Sequence, residues 1–300
     1  MKAPTPVVTN ALLALVCLIW GSTWLVIKVG LRDVPPFTGA AVRFVVAGVC
    51  MAGLVGLFSR REGGGSPPRG VVLAQGLFQF ALNYGLVYVA ETAIPSGLVA
   101  VLWSVFPLFV SLAGHFVLKN EILSPAQWFG MLLAFAGVAL LFVTDLRAID
   151  LRAVKLGALL LLAPLSVTVS TLLIKYRAAG ASSLVLNRDS MLIGAVVLGG
   201  IAAVVERDQA PRWTSLAVGS ILYLALAGTV MTFGIYLWLL RFVPAYKMSL
   251  TAFVTPLIAL IVGSALGGEG LSVFTLMGSA CVVGGVALVL VARARRSVLG

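Results

Sequence analysis

Apolar residues along this chain fall into long runs, and polar residues gather in short connectors between them. A hydrocarbon core ~30 Å thick takes about 20 apolar residues at 1.5 Å rise each. Ten runs approach or exceed that length: residues 8–29, 36–58, 71–90, 94–118, 125–143, 156–174, 184–205, 216–240, 243–266 and 274–292. None of the connectors is long enough for a soluble domain. Residues 60–69 hold Gly63-Gly64-Gly65-Ser66-Pro67-Pro68 and read as a flexible loop. Residues 145–155, carrying Asp145, Arg147, Asp150, Arg152 and Lys155, separate two halves.

The halves repeat each other. Asn120-Glu121-Ile122-Leu123-Ser124 matches Gly268-Glu269-Gly270-Leu271-Ser272, and Gly137-Val138-Ala139-Leu140 matches Gly285-Val286-Ala287-Leu288, both 148 residues on. Gly130 likewise matches Gly278. Pro95 and Pro107 match Pro244 and Pro256 at 149, Ile27-Lys28 matches Ile174-Lys175 at 147, and Arg43 matches Arg188 at 145. The reading is two repeats of five helices, residues 1–148 and 149–300, together one transport domain. Five is odd, so the second copy enters the membrane from the opposite face and the repeats are inverted. Such an architecture is typical of secondary transporters, which bind substrate near the midplane between repeats.

Composition agrees. Hydrophobic residues make up 61% and charged residues 10%, with a mean hydropathy of +1.11, against about 45–50% and 25% in soluble proteins. This excludes a soluble globule. The net charge of +11 comes from Lys and Arg in connectors, without the basic patch interleaved with aromatics that nucleic-acid binding needs. Of the 21 basic residues, twelve lie on the side of the N-terminus and seven opposite, while Arg43 and Arg188 lie inside helices. The bias predicts cytoplasmic termini. Cys17, Cys50 and Cys281 sit in apolar runs without C-x-x-C spacing, which argues against disulfides and zinc. No cofactor or metal is expected. The first apolar run is too long for a leader's core and no small-residue cleavage site follows, so it is expected to stay.

Trp20-Gly21-Ser22-Thr23-Trp24 in the first span, Pro36 with Arg43 in the second, and residues 93–121 with two prolines and a closing glutamate resemble the EamA family of the drug/metabolite transporter superfamily. Residues 243–272 repeat the last pattern. Within the superfamily the chain is most similar to ten-helix bacterial exporters of amino acids, particularly aromatic ones. The resemblance implies an inner-membrane protein with ten helices and cytoplasmic termini. It also implies a central cavity lined by the first, third, fourth, sixth, eighth and ninth helices, with the fifth and tenth peripheral. One departure is that Val167–Thr171 stands where the first repeat has its tryptophan motif.

Polar groups in hydrocarbon are costly, so their positions are informative. All ten acidic residues lie at or near span ends or in connectors. That leaves no midplane carboxylate for a proton relay, favours facilitated export down a gradient, and disfavours a multivalent cation as substrate. Gln75, Gln79 and Asn83 recur every four residues on the third helix; they read as a cavity wall or as interhelical glue worth about 0.6–2 kcal/mol per pair. Three stacked amides favour the wall. Tyr84 and Tyr88 share a neighbouring stripe, Tyr88 also fitting an interfacial belt.

Trp20 and Trp103 fall near span centres, where an indole N–H needs a partner, and Trp24 is one turn from Trp20. Phe233 and Tyr236 are the comparable rings of the second half, and all five rings, with Ser166 and Ser170, are read as substrate-binding residues that line the cavity. Pro107 and Pro256 are mid-span, where each removes a backbone hydrogen bond and bends its helix; they are hinge candidates, with Pro164 near Ser166, Thr168 and Ser170. Pro95 and Pro244 read as helix initiators. Arg43 and Arg188 are expected to snorkel or bond helix-end carbonyls, and His115 to be a packing residue. The ridges Gly48, Ala52, Gly56 and Gly278, Gly285 are expected to pack helices, in a monomer or homodimer.

The residues thus point to export of small amphiphilic metabolites, foremost amino acids including aromatic ones. The alternative is broader efflux of drugs or quaternary ammonium compounds through cation–π contacts. A membrane-embedded enzyme is disfavoured by the absence of H-E-x-x-H, G-x-S-x-G or paired intramembrane carboxylates. A structural or lipid-scrambling role is disfavoured by the amide stripe.

Overall fold

The computed structural model describes residues 5–117, 122–239, 242, 248 and 251–299, with backbone alone for 59–61, 237 and 293–299. Among the described residues the long elements are all helices. Nine are long and apolar enough to cross a bilayer. They are α1 (Pro6–Gly30), α2 (Pro36–Glu62), α3 (Arg69–Glu91), α4 (Ser96–Val117), α5 (Pro125–Ile149), α6 (Leu151–Arg177), α7 (Ser183–Val205), α8 (Ser215–Tyr236) and α10 (Val273–Leu299). Between the last two lies α9 (Thr251–Gly267), apolar but shorter. Glu121, Pro244 and the rest of 118–121 and 243–247 lie outside the described residues.

Helix starts follow local sequence. The Ser124 hydroxyl accepts from the backbone N–H of Gln127 and the Gln127 side chain accepts from the Ser124 N–H, so α5 begins on a capping box with Pro125 behind it. Asp150, Ser182 and Thr214 cap α6, α7 and α8 by accepting from Ala153, Val185 and Ala217. Interruptions follow proline. An imide nitrogen cannot donate to the carbonyl four residues back. In α4 the helix stops at Trp103 and restarts at Phe106 around Pro107; in α6 it stops at Leu160, four residues before Pro164. Pro107 therefore sits at a true break, where the sequence suggests a bend, while α9 runs on through Pro256.

The chain forms two compact units. The first comprises Met1–Leu25, Ala93–Pro164 and Gly234–Gly300; the second comprises Val26–Thr92 and Leu165–Phe233. Neither coincides with a sequence half, because each unit takes matched helices from both halves.

In the first unit α5 lies along α10, glycine against glycine. A Cβ on Gly130 would stand 2.8 Å from the Gly285 carbonyl oxygen, and one on Gly137 would stand 2.6 Å from that of Gly278. Since the lower number faces the higher, the helices run antiparallel. The Gly278, Gly285 ridge is thus occupied within the chain. Contact of this kind replaces hydrophobic driving force with close backbone packing.

In the second unit α2 lies along α7, with Gly48 against Leu192, and a carboxylate closes each end of the pair. Glu206, just past α7, accepts from the backbone N–H groups of Phe37 and Thr38 at the start of α2, both at 2.8 Å, and from the Thr38 hydroxyl at 2.7 Å. Glu62, at the end of α2, accepts from the Ser183 N–H at 2.9 Å and the Ser182 hydroxyl at 2.5 Å at the start of α7. The first four amides of a helix have no partner within it, and a carboxylate there also meets the positive end of the helix dipole. The two helices are antiparallel, and each ends on an anion that caps the other.

Wide, π-type turns occupy matched stretches of the second unit, Gln75–Leu82 in α3 and Leu226–Met231 in α8. Around the first, Ser190 and Ser166 donate to the carbonyls of Val72 and Phe78. Within the second, the Thr229 hydroxyl donates to the Leu224 carbonyl five residues back. Hydroxyl partners stabilise a loosened ladder, and such turns recur at functional positions.

Candidate functional site

In the first unit the structure gathers most of the aromatic candidates. Trp20 lies against Tyr236, ring centroids 5.4 Å apart, and Trp24 against Trp103 at 6.1 Å; Trp103 also stacks on Phe106 at 5.6 Å. All five are half-buried. The tryptophan motif can present its rings because Gly21, between them, lets α9 approach. A Cβ there would stand 2.6 Å from Ile258 Cβ and 3.3 Å from the Thr255 carbonyl oxygen. The Trp24 indole nitrogen and the Thr255 hydroxyl are buried without a hydrogen-bond partner. Burying such a donor unmatched costs roughly 1–3 kcal/mol, so this face offers ring surface together with free hydrogen-bonding capacity. Pro107, Pro164 and Pro256 belong to this unit, Pro107 four residues beyond Trp103 and Pro256 next to Thr255.

The second unit holds the amide stripe, and its members differ in fate. Gln75 is buried and engaged on both sides, donating to Asn187 Oδ1 at 3.1 Å and accepting from the Ser190 hydroxyl at 3.2 Å. It joins α3 to α7. Asn83 is buried and donates back to the Gln79 carbonyl, while Gln79 is half-buried. Ser166 is used on the Phe78 carbonyl; the Ser170 hydroxyl is buried without a partner. Tyr84 underlies Arg43, with the guanidinium carbon 4.7 Å from its ring centroid. Phe233, also in this unit, is half-buried.

The two matched arginines are treated differently. Arg188 pairs with its neighbour Asp189 and stays partly exposed. Arg43 is 2% exposed and does not snorkel, which corrects the expectation for it. The reason is packing: α2 presses that face against α3 and α8, where the Tyr84 and Phe44 rings and Thr229 receive the side chain. His115 packs edge-on against Phe116 and Trp128. Among the described residues no group of three His, Cys, Asp or Glu side chains could hold a metal.

Sequence reasoning missed Thr255, Phe106 and the carboxylates Glu62 and Glu206. The first two adjoin Pro256 and Pro107, a usable signal. The carboxylates carry none, since their partners are more than 100 residues away.

Comparison with known proteins places this geometry. The model of the EamA-like transporter family matches twice, over residues 8–143 and 155–291. The chain is 31% identical to the uncharacterized inner membrane transporter YedA of Escherichia coli, covering 91% of this chain and 87% of that one. It is 27% identical to the uncharacterized transporter YoaV of Bacillus subtilis over 90% and 92%, and 26% identical to protein PagO of Salmonella typhimurium over 95% and 93%. A crystal structure at 18% identity superposes with a TM-score of 0.64 over 97% of this chain and all of that one, a likeness of fold alone. The chain belongs to the EamA-like transporter family, and it is a multi-pass transporter of the bacterial inner membrane.

Proposed function

We propose that this transporter exports amino acids with apolar or aromatic side chains, by alternating access of two inverted five-helix repeats with both termini in the cytoplasm. The observation that carries the substrate class is the ring cluster of the first unit, Trp20 on Tyr236 and Trp24 on Trp103 and Phe106. Rings stack on an apolar side chain, and the partnerless Trp24 N–H is a donor that a solute's carbonyl or carboxylate can satisfy. The inverted arrangement is supported by the double family match, by the reciprocal caps of Glu62 and Glu206, and by the crossed glycines of α5 and α10. The breaks at Pro107 and Pro164 are the hinges in this reading.

Acids confined to span ends favour flux driven by the solute's own gradient. The test is purified protein in liposomes loaded with labelled phenylalanine, tryptophan, threonine or methionine. Release down the gradient is expected, unaltered by an imposed pH difference. Trp103→Ala and Gln79→Ala are expected to lower it at unchanged expression. Release of cationic dyes but of no amino acid would shift the assignment to drug efflux, and proton-driven uphill accumulation would overturn facilitated flux.

A further inference from the structure

Arg43 poses a question the fold does not answer. A guanidinium inside a membrane domain is tolerated only when its charge and its donors are met. Part of that requirement is satisfied: the Tyr84 and Phe44 rings lie 4.7 and 5.4 Å away, a favourable cation–π geometry, and Nε and Nη2 donate to one acceptor, the Thr229 hydroxyl, at 3.3 and 3.1 Å. Nη1 is buried and donates to nothing. One turn on from Tyr84, on the same face of its helix, the Tyr88 hydroxyl is also buried without a hydrogen-bond partner.

A further observation argues against a purely architectural role. Arg188 occupies the matched position and finds an acidic neighbour at a partly exposed place, so the repeat itself does not demand a sequestered guanidinium. Glu91, at the end of α3, is fully buried, and the Lys28 ammonium donates to its backbone carbonyl at 2.7 Å. Every one of these residues is in the second unit, where the end of α1 meets the start of α2 and the end of α3. An apolar cavity of about 10 Å³ lies against the Tyr88 ring, lined also by Ile27, Gly39, Ser220 and Leu224. It has room for one water at most.

We propose that Arg43 and Tyr88 form a carboxylate-binding site for the transported solute, occupied during passage and shut in the conformation seen here. A carboxylate brings two acceptor oxygens and one negative charge, the complement of the Nη1 donors, the tyrosine hydroxyl and the guanidinium charge. The inference rests on the reading of the protein as an exporter of small amphiphiles and narrows it: the solute carries a carboxylate, whether or not it also carries an ammonium group.

The experiment uses the whole protein in liposomes with three solutes sharing one ring: L-phenylalanine, N-acetyl-L-phenylalanine and L-phenylalaninamide, with protein-free liposomes as the blank. The two carboxylates are expected to move at least tenfold faster than the amide, and Arg43→Gln to abolish that preference. If the acid and the amide move equally in the unaltered protein, the carboxylate site is wrong while amino-acid export stands. If N-acetyl-L-phenylalanine moves in an Arg43-dependent way and L-phenylalanine does not, the site stands and amino-acid export falls. Flux of none of the three overturns both. Should Arg43→Gln fail to fold, the comparison of solutes in the unaltered protein decides without it, and Arg43→Lys, which keeps the charge but loses the fork, is expected to retain a weakened preference.

Discussion

Replacing Glu206 by alanine tests whether the paired helices of the second unit are held from their ends. Glu206 is 5% exposed and is the acceptor for the Phe37 and Thr38 amides and the Thr38 hydroxyl. Removing it leaves two backbone N–H groups at a buried helix start, at a cost of about 1–3 kcal/mol each. Loss of the anion from the helix dipole adds about 0.3–1 kcal/mol. The expected destabilisation is therefore roughly 2–7 kcal/mol, read as a shift in reversible unfolding in mixed micelles with rising SDS. Asp208→Ala is the control, because its ion pair with Arg207 is exposed and worth about 0–1 kcal/mol. Glu62→Ala is expected to match Glu206→Ala in kind. The two sites lie at opposite ends of the 23-residue α7, about 35 Å apart at 1.5 Å per residue, so the double variant should add to within about 0.5 kcal/mol. If Glu206→Ala unfolds within about 1 kcal/mol of the control, or the pair couples strongly, the carboxylates are not independent caps.

Two other substitutions probe the packing. Gly137→Leu places a side chain where a Cβ alone would sit 2.6 Å from the Gly278 backbone oxygen, so α5 must separate from α10. Loss of folded protein, seen as aggregation on size-exclusion chromatography, is expected there, whereas Gly53→Leu, with nothing within 4 Å, should be tolerated. Gln75→Ala strips Asn187 of a donor and Ser190 of an acceptor, and should lower stability by about 1–3 kcal/mol with the concentration for half-maximal flux unchanged; a changed concentration at unchanged stability would return Gln75 to the solute path.

Much of the candidate site was legible in the sequence because the cost of a misplaced polar or aromatic group in hydrocarbon is paid locally. The tryptophans of Trp20-Gly21-Ser22-Thr23-Trp24 and Trp103 stand out by span position, and they do meet partners: Trp20 with Tyr236, Trp24 with Trp103. The amide stripe was equally visible, yet spacing cannot tell whether an amide faces a solute or a neighbouring helix. Gln75 faces Asn187, 112 residues away. Arg43 and Arg188 show the same limit, since equal depth in matched helices implies one fate and the neighbours impose two.

The sequence alone determined that the chain lies in a membrane, roughly where it crosses, and that its halves repeat. Transfer free energy from water to hydrocarbon sums over consecutive residues, so no partner need be known. Which glycine meets which, which carboxylate caps which helix and where a buried guanidinium finds rings were decided only by tertiary packing. Those energies depend on atoms brought within a few ångströms from different helices, for the glycines and carboxylates from positions more than a hundred residues apart, and no local pattern records them.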